Sequence, residues 1–392
     1  MFAVVELVKD PSVPRIFSKL HYQIKEAVTE YPSFTSKFRK SSLIDFRQLL
    51  TDPNAGLRLR ALRWCLRAAS LPSGAVMLGR NWCYDRGLLR STKAPLPVIS
   101  VGNLSVGGTG KSPLVAWLAR NLRQRNVRVA VLSRGYGQLD NGQNDEALEL
   151  ELQLPDVPHL QHWDRIASAK LAADELDMEV LLLDDGFQHR RLARDLEIVL
   201  LDASEPPEVR WMLPGGLLRE PFSSLARADV VVLSRAARAN PAAYAKLLQQ
   251  VKRHAPQAAV LAANHRPANL WNASGEVLEP ARLSGQSVLA FCAIGHPSSF
   301  FASLEELGAH ILDRRTWPDH HPFTADDIAS LAHWTQQYPA AKRVVCTMKD
   351  WVKIQSETIG ELPLSALRIE MQFSEEPAEL EEKLNELLAR TN

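Results

Sequence analysis

The sequence predicts an α/β protein with a mostly parallel sheet and helices on both faces, plus a smaller second α/β domain and a helical extension at the amino terminus. Two observations support this fold class. Short apolar runs alternate with helical patterns along most of the chain, as in parallel sheets whose strands are connected by helices. The length of 392 residues, 46% of them hydrophobic, provides enough apolar material for two cores.

The composition narrows the class of protein further. A formal net charge of +1 gives no overall field that would attract nucleic acid, so we expect no nucleic-acid partner. Four cysteines lie far apart, without the spacing of a metal site or a disulfide framework, which is typical of a reducing compartment. No uncharged apolar run in the sequence reaches the roughly 18 residues of a membrane-spanning helix.

The amino-terminal region divides into two parts. Residues 1–54 show weak helical periodicity, and we predict an extension to which the sequence assigns no role. Residues 55–96 contain eight basic residues and one acid, Asp85, interleaved with leucines and aromatic residues. This composition is typical of an amphipathic segment at an anionic membrane interface. A basic helix packed on the protein's own surface has the same composition, so both interpretations stay open.

Residues 97–266 are predicted to form a nucleotide-binding domain, because a β-branched strand at 98–101 leads into a glycine-rich loop and then a helical pattern at 114–122. This order is that of a P-loop, in which backbone N–H groups surround phosphate oxygens. The lysine is expected to reach the β- and γ-phosphates and the serine after it to bind Mg²⁺. A glycine-rich turn with a surface lysine is the alternative, since a serine holds the place of the first motif glycine. The loop consists of Ser105, Val106, Gly107, Gly108, Thr109, Gly110, Lys111 and Ser112.

Acidic residues follow two later strands of this P-loop NTPase-like domain. A strand at 178–183 ends in Asp184-Asp185-Gly186, where such sheets place the carboxylate that holds Mg²⁺. One aspartate can hold the metal or its water while the other orients the loop; an Asp-Gly turn is the alternative. After the strand at 127–132, Asp145 and Glu146 have the pattern of solvated loop acids. The remaining elements predicted here are a helix at 165–176 and strands at 196–202, 229–234 and 258–263.

Residues 267–392 are predicted to form the smaller α/β domain, which would complete the active-site cleft. Three of its strand ends carry residues suited to function: Gly295-His296-Pro297, Asp319-His320-His321 and Thr347-Met348-Lys349-Asp350. Adjacent histidines without spaced partners make a poor metal site, so we predict proton transfer or substrate contact for them. Its predicted elements are strands at 288–294, 310–315, 343–347 and 367–373, and helices at 298–307, 325–337 and 377–389.

Taken in order, several runs between residues 55 and 390 resemble the tetraacyldisaccharide 4'-kinase family, the lipid A 4'-kinases of Gram-negative envelope synthesis. The resemblance implies transfer of the γ-phosphoryl group of ATP, with Mg²⁺, to the 4'-hydroxyl of a tetraacylated glucosamine disaccharide 1-phosphate, a lipid A precursor, to give lipid IVA. It also implies peripheral or monotopic attachment to the cytoplasmic face of the bacterial inner membrane, here through residues 55–92. The runs are VGNLSVGGTGKSP, SRGYG, DDGFQHRRLARDLEIVLLDA, LPGGLLREP, AIGHP, PDHH and TMKDWVK.

The resemblance also implies roles for single residues. The loop 105–112 would bind ATP, and Ser112, Asp184 and Asp185 match the metal-associated residues. Asp145 matches the acid proposed to activate the sugar hydroxyl, and His320 the histidine paired with it. Lys111, Arg165 and Arg219 fall where the family keeps basic residues for phosphate contact.

The sequence departs from the family pattern at three places. The family's Gly-Asp-Glu-Pro is Asn144-Asp145-Glu146-Ala147 here, and its Thr-Glu-Lys-Asp has Met348 in place of the glutamate. Arg63 and Arg67 interrupt the family's amino-terminal membrane helix, which favours attachment at the interface over a span.

Two other functions remain open at this stage. One is another P-loop ATPase or a GTPase, although the sequence contains no Asn-Lys-x-Asp motif for guanine. The other is a nucleotide-gated lipid-binding protein, which would need Lys111 but neither Asp145 nor His320.

Overall fold

The structure, a computed structural model, describes residues 46–52, 54–135, 145–272 and 275–390. The chain divides between Leu59 and Arg60 into two compact units. The described part of the first unit contains helix α1 (Phe46–Thr51) and the first residues of helix α2 (Leu57–Asp85). Most of the predicted extension, residues 1–45, lies outside the described residues.

Strands and helices alternate through the second unit, as predicted. Its first strand set comprises β1 (Val98–Asn103), α3 (Lys111–Gln124), β2 (Val129–Ser133), α4 (Asp145–Gln153), β3 (His159–Gln161), α5 (Arg165–Asp174), β4 (Val180–Asp184), β5 (Leu196–Asp202), β6 (Val230–Ser234), α6 (Pro241–His254) and β7 (Ala259–Trp271). The second set comprises β8 (Val277–Leu278), β9 (Ser287–Cys292), α7 (Pro297–Glu306), β10 (His310–Thr316), α8 (Ala325–Gln336), β11 (Arg343–Thr347), α9 (Met348–Ile354), β12 (Thr358–Ile359), β13 (Leu362–Phe373) and α10 (Ala378–Ala389).

The described strands form a 13-stranded sheet with the order β10-β9-β11-β13-β7-β6-β5-β1-β4-β2-β3, and β8 and β12 pair with β7 and β13. Along this order every neighbouring pair is parallel except β13 with β7. The predicted mostly parallel sheet is therefore confirmed. All residues of β1, β4 and β5 are buried, as expected for strands covered on both faces.

The long strand β7 connects the two strand sets. Its first half pairs in parallel with β6, and its second half pairs antiparallel with β13. The domain boundary predicted between residues 266 and 267 lies within β7. The second strand set therefore continues the sheet of the first.

Alternate residues of the strands pack under helices on opposite faces of the sheet. On one face, Ile99 and Ile198 pack in a core with the leucines of α3, α4 and α10. On the other face, Val98 packs with the alanines of α5, and Val199 packs with Leu247 of α6. The predicted helices on both faces are confirmed, and the carboxyl ends of the parallel strands are left to carry loops.

Helix α2 accounts for most of the basic segment 55–96, and one side of it packs on the rest of its unit. The Ser70 hydroxyl donates a hydrogen bond to the Met212 carbonyl (2.7 Å), and the Asn81 amide donates one to Glu220 Oε2 (2.7 Å). Large apolar side chains elsewhere on the helix are exposed, among them Trp64, Leu71, Leu78 and Trp82. Among the described residues, no helix combines the length and hydropathy needed to cross a membrane.

The sequence reading of Asp145 and Glu146 as loop acids was wrong, because both residues lie in the first turn of α4. Acidic side chains stabilise this end of a helix through its partial positive charge. Three leucines alternate with polar residues between positions 148 and 152, a period that indicates a strand or loop more than a helix. The helix forms because its sides meet two cores, with Leu148 against one and Leu150 in the other.

Candidate active site

The P-loop lies between β1 and α3, as predicted. Gly107 and Gly110 have φ angles of 108° and 97°, values that glycine adopts without strain. A side chain at Gly110 would also collide with the His265 ring. Gly110 precedes α3 and makes no side-chain cap, which leaves the first N–H groups of the helix available to a phosphate group, as in such loops.

Asn103, the last residue of β1, holds the loop in shape and was not singled out from the sequence. Its amide donates hydrogen bonds to the Ser105 carbonyl (2.7 Å) and to Thr109 Oγ1 (3.1 Å). Its carbonyl oxygen accepts one from Lys111 Nζ (3.4 Å). The lysine is thereby held at the mouth of the loop.

Asp185 binds two of the predicted phosphate-contacting cations. Lys111 Nζ lies 3.3 Å from its Oδ1, and Arg219 Nη1 donates to its Oδ2 at 2.9 Å. Desolvation raises the pKa of Asp185, but Arg219 and Lys111 lower it more, so its pKa lies well below the usual range. The backbone N–H of Arg219 donates to the Leu104 carbonyl at 2.6 Å, which explains how a residue so far along the chain reaches the loop.

Asp184, at the carboxyl end of β4, has a different environment. It is buried, and the buried Arg165 donates a hydrogen bond to its backbone carbonyl at 3.2 Å. Burial and then the neighbouring charge of Glu146 raise the pKa of Asp184 to about 7. A carboxyl group whose ionisation is disfavoured in this way would be stabilised by a cation beside it.

A second cluster surrounds Asp145, the first residue of α4. His320 Nδ1 lies 2.9 Å from Oδ2 and 3.0 Å from Oδ1 of this buried aspartate. The hydrogen bond that His320 donates to Asp145 raises the pKa of His320. Burial raises the pKa of Asp145, but the hydrogen bond and charge of His320 and the lysines of α9 lower it more, to well below its usual range. The structure therefore brings together the two residues that the resemblance paired.

Glu146 links the two clusters. Lys349 Nζ lies 2.6 Å from its Oε1, and the charges of Lys349, first, and of Lys111 lower the pKa of Glu146 against the effect of burial. One turn further along α4, burial raises the pKa of Glu149 to about 7. Glu146 is thus influenced by the charge of the P-loop lysine and directly follows Asp145 of the Asp145–His320 pair.

His296 lies at the other side of the loop. Its Nε2 lies 3.5 Å from Asp202 Oδ2, and Asp202 forms an ion pair with Arg235. Arg235 Nη2 also donates to the Gly108 carbonyl at 2.8 Å. Asp202 and Arg235, at the ends of β5 and β6, thus support the P-loop. His296 of the AIGHP run lies beside them.

Sequence reasoning missed several members of the site. Four residues lie in the motifs given above or beside a predicted residue, yet none was assigned a role. They are Asn103, Glu146, Lys349 and Lys353. The available signal was position: Asn103 ends β1, Glu146 and Lys349 lie in the first turns of α4 and α9, and Lys353 lies one turn after Lys349. Two further segments of the resemblance, residues 136–137 of the SRGYG run and Asn144, lie outside the described residues.

The residues present fit a Mg²⁺ ion. Ser112 is a buried hydroxyl in the first turn of α3, and Asp184 is a buried carboxyl group whose pKa burial raises to about 7. These are the hard oxygen ligands that Mg²⁺ takes. Asp185, the third predicted ligand, contacts Lys111 through Oδ1 and Arg219 through Oδ2.

The glycine loop between a parallel strand and a helix, the lysine at its end and the aspartates after β4 define a P-loop nucleotide-binding protein. A carboxylate–histidine pair beside the loop is suited to phosphoryl transfer to a hydroxyl group. The model of one family, tetraacyldisaccharide-1-P 4'-kinase (LpxK), matches residues 62–389, so the chain belongs to this family. The predicted family is confirmed.

Relatives and a solved structure agree with this membership. The chain is 36% identical to the tetraacyldisaccharide 4'-kinase of Syntrophus aciditrophicus, over 83% of this chain and 93% of that protein. It is 35% identical to that of Geobacter sulfurreducens, over 88% of this chain and 98% of that protein. The crystal structure of LpxK from Aquifex aeolicus in complex with ATP is similar, with a TM-score of 0.64 and 30% identity, covering 84% of this chain and 99% of that one.

Proposed function

We propose that this protein transfers the γ-phosphoryl group of ATP to the 4'-hydroxyl of a tetraacylated glucosamine disaccharide 1-phosphate, giving lipid IVA in lipid A biosynthesis. The observation that carries the proposal is the position of the Asp145–His320 pair. It lies one residue from Glu146, whose charge raises the pKa of Asp184 and whose own pKa is lowered by the charge of Lys111. A base for the acceptor hydroxyl and the binding loop for the donor phosphates therefore share one site.

Positioning and charge neutralisation account for most of the catalysis in phosphoryl transfer. The loop 105–112 would bind the phosphates of ATP through its backbone N–H groups. Lys111 would contact the transferred phosphoryl group, with Arg219 beside it on Asp185. Arg165, which is held against the Asp184 carbonyl, would provide a third positive charge. Asp185 would keep the first two cations at the loop mouth.

Ser112 and Asp184 would hold Mg²⁺, and Asp185 would hold the cations beside it. When bound, Mg²⁺ neutralises charge on the β- and γ-phosphates. On the acceptor side, Asp145 would accept the proton of the 4'-hydroxyl. His320 would orient Asp145 and stabilise its charge, since it hydrogen-bonds both carboxylate oxygens.

The test is a transfer assay with the purified protein, Mg²⁺ and ATP labelled in the γ-phosphate. We expect label in the lipid only when the disaccharide 1-phosphate is present, and none in a control lipid already phosphorylated at the 4' position. ATP hydrolysis that is indifferent to the acceptor would contradict the kinase proposal and favour another P-loop ATPase. Nucleotide-dependent lipid binding without transfer would favour the nucleotide-gated lipid-binding protein.

We also propose that α2 attaches the protein to the cytoplasmic face of the bacterial inner membrane, peripherally or monotopically. Trp64, Leu71 and Leu78 recur every seven residues, so they lie along one side of the helix with Trp82 close by. All four side chains are exposed. Exposed arginines at the start of the same helix, Arg58 and Arg60, would contact anionic headgroups.

Replacing Trp64, Leu71, Leu78 and Trp82 together by serine is expected to lower partitioning into anionic phosphatidylglycerol vesicles by about 100-fold or more. The variant leaves Ser70 and Asn81, which hold α2 to its unit, unchanged. Sedimentation with vesicles measures the effect. Trp163→Ser, which removes an exposed tryptophan outside α2, is the control. Wild-type partitioning of the fourfold variant would place the membrane contact elsewhere.

A further inference from the structure

Lys353 is a buried cation beside the proposed catalytic base. It lies on α9, one turn after Lys349, and its side chain is 4% exposed. Its Nζ lies 3.1 Å from Asp145 Oδ2 and 4.0 Å from Asp350 Oδ1. It also donates a hydrogen bond to the His321 carbonyl at 3.3 Å. The ammonium group therefore faces three oxygen acceptors from three segments of the chain.

A lysine that was buried only for packing would not need this set of partners. A buried ammonium group is strongly destabilising unless charged and hydrogen-bonding partners surround it, and here an aspartate of another helix is the nearest partner. Asp145 Oδ2 contacts both Lys353 Nζ (3.1 Å) and His320 Nδ1 (2.9 Å). The carboxylate is thus fixed by two cationic or proton-donating groups.

We propose that Lys353 is a positioning residue for the phosphoryl transfer, holding the Asp145 carboxylate ionised and oriented toward the acceptor hydroxyl. The inference rests on the proposed function, because it needs Asp145 to be the base. It gives a role to Lys353, the last lysine of the TMKDWVK run. It also explains why the second strand set is part of the catalytic site, since α9 follows β11 directly.

The charges around Asp145 determine what removal of Lys353 would do. Without Lys353, only Lys349 and His320 would remain to lower the pKa of Asp145 against burial and the neighbouring acids. The pKa of Asp145 would therefore rise. The carboxylate would also lose the contact that holds Oδ2, so it would be less well oriented toward the acceptor hydroxyl and kcat would fall. The facing groups are Glu146 and Glu149 on α4, Lys349, Asp350 and Lys353 on α9, and Asp319, His320 and His321 on the loop after β10.

The experiment is a comparison of kcat and of the KM for ATP between wild type and Lys353→Met, measured with saturating acceptor. We expect kcat to fall by about 10-fold or more, because the carboxylate of the base loses the contact that orients it, with the KM for ATP unchanged. Lys353→Gln, which keeps an N–H donor and removes the charge, is expected to lower kcat in the same direction and covers the case in which the methionine variant fails to fold. Lys342→Met, at an exposed lysine directly before β11, is the matched control.

Two outcomes separate this inference from the proposed function. If Asp145→Asn retains full kcat, the base assignment itself fails. If Asp145→Asn is impaired but Lys353→Gln keeps the wild-type kcat, the base assignment stands and the role of Lys353 is overturned. The inference also requires that Lys353→Gln added to Asp145→Asn lowers kcat no further, because the group on which it acts is then gone.

Discussion

Replacement of Asp145 by asparagine is expected to lower kcat for acceptor phosphorylation by about 10²- to 10⁴-fold, the range that a general base contributes. Asparagine keeps the shape of the side chain and can still contact His320, but it cannot accept the hydroxyl proton. ATP affinity is expected to stay within about twofold, because the P-loop contacts of Lys111 and Asn103 do not involve Asp145. Initial rates and ATP titration by calorimetry measure the two quantities separately.

The control for this prediction is Asp174→Asn, at an exposed aspartate that ends α5. It should leave both quantities at the wild-type value. A collapse of ATP affinity in Asp145→Asn, in proportion to kcat, would mean that the residue organises the nucleotide site and does not act as the base. A nucleotide-gated lipid-binding protein would show no dependence on Asp145 at all.

The fold was largely predictable because its signals are local. Strands β5 and β11 begin and end at the predicted residues 196–202 and 343–347, since each is an apolar run with clear polar flanks. The P-loop combines three glycines, a lysine and a serine within a few residues, so its chemistry could also be inferred locally. Helix α4 was missed because its stability comes from two cores that other elements form.

The catalytic cluster was less predictable because its contacts are remote in sequence. His320 lies 175 residues from Asp145, and no spacing along the chain indicates that the two side chains meet. The order of the strands brings them together, because β9, β11 and β13 continue the sheet beyond β7. Resemblance to a family supplied the Asp145–His320 pair but gave no role to Lys353. That role became visible only from the buried contact across α4 and α9.

Replacement of Lys111 by methionine is expected to lower kcat/KM for ATP by about 10²- to 10³-fold, the usual cost of losing one donor to a developing negative charge. Methionine fills a similar volume, so the change removes the charge while leaving the loop's glycines in place. Asp185 would retain Arg219, which donates to its other oxygen, and this keeps the loop after β4 ordered. Lys170→Met, at an exposed lysine of α5, is the control.

The kinetic pattern of Lys111→Met should differ from that of Asp145→Asn, because the two residues act on opposite reactants. Loss of Lys111 removes contacts with ATP in both the bound and the transition states, so KM for ATP rises as kcat falls. Loss of Asp145 affects kcat alone. Since the charge of Lys111 lowers the pKa of Glu146, which directly follows Asp145, the double variant should lose less than the product of the two single effects. Strict multiplication of the effects would instead mean that donor and acceptor sites act independently, contrary to the single continuous site proposed for this protein.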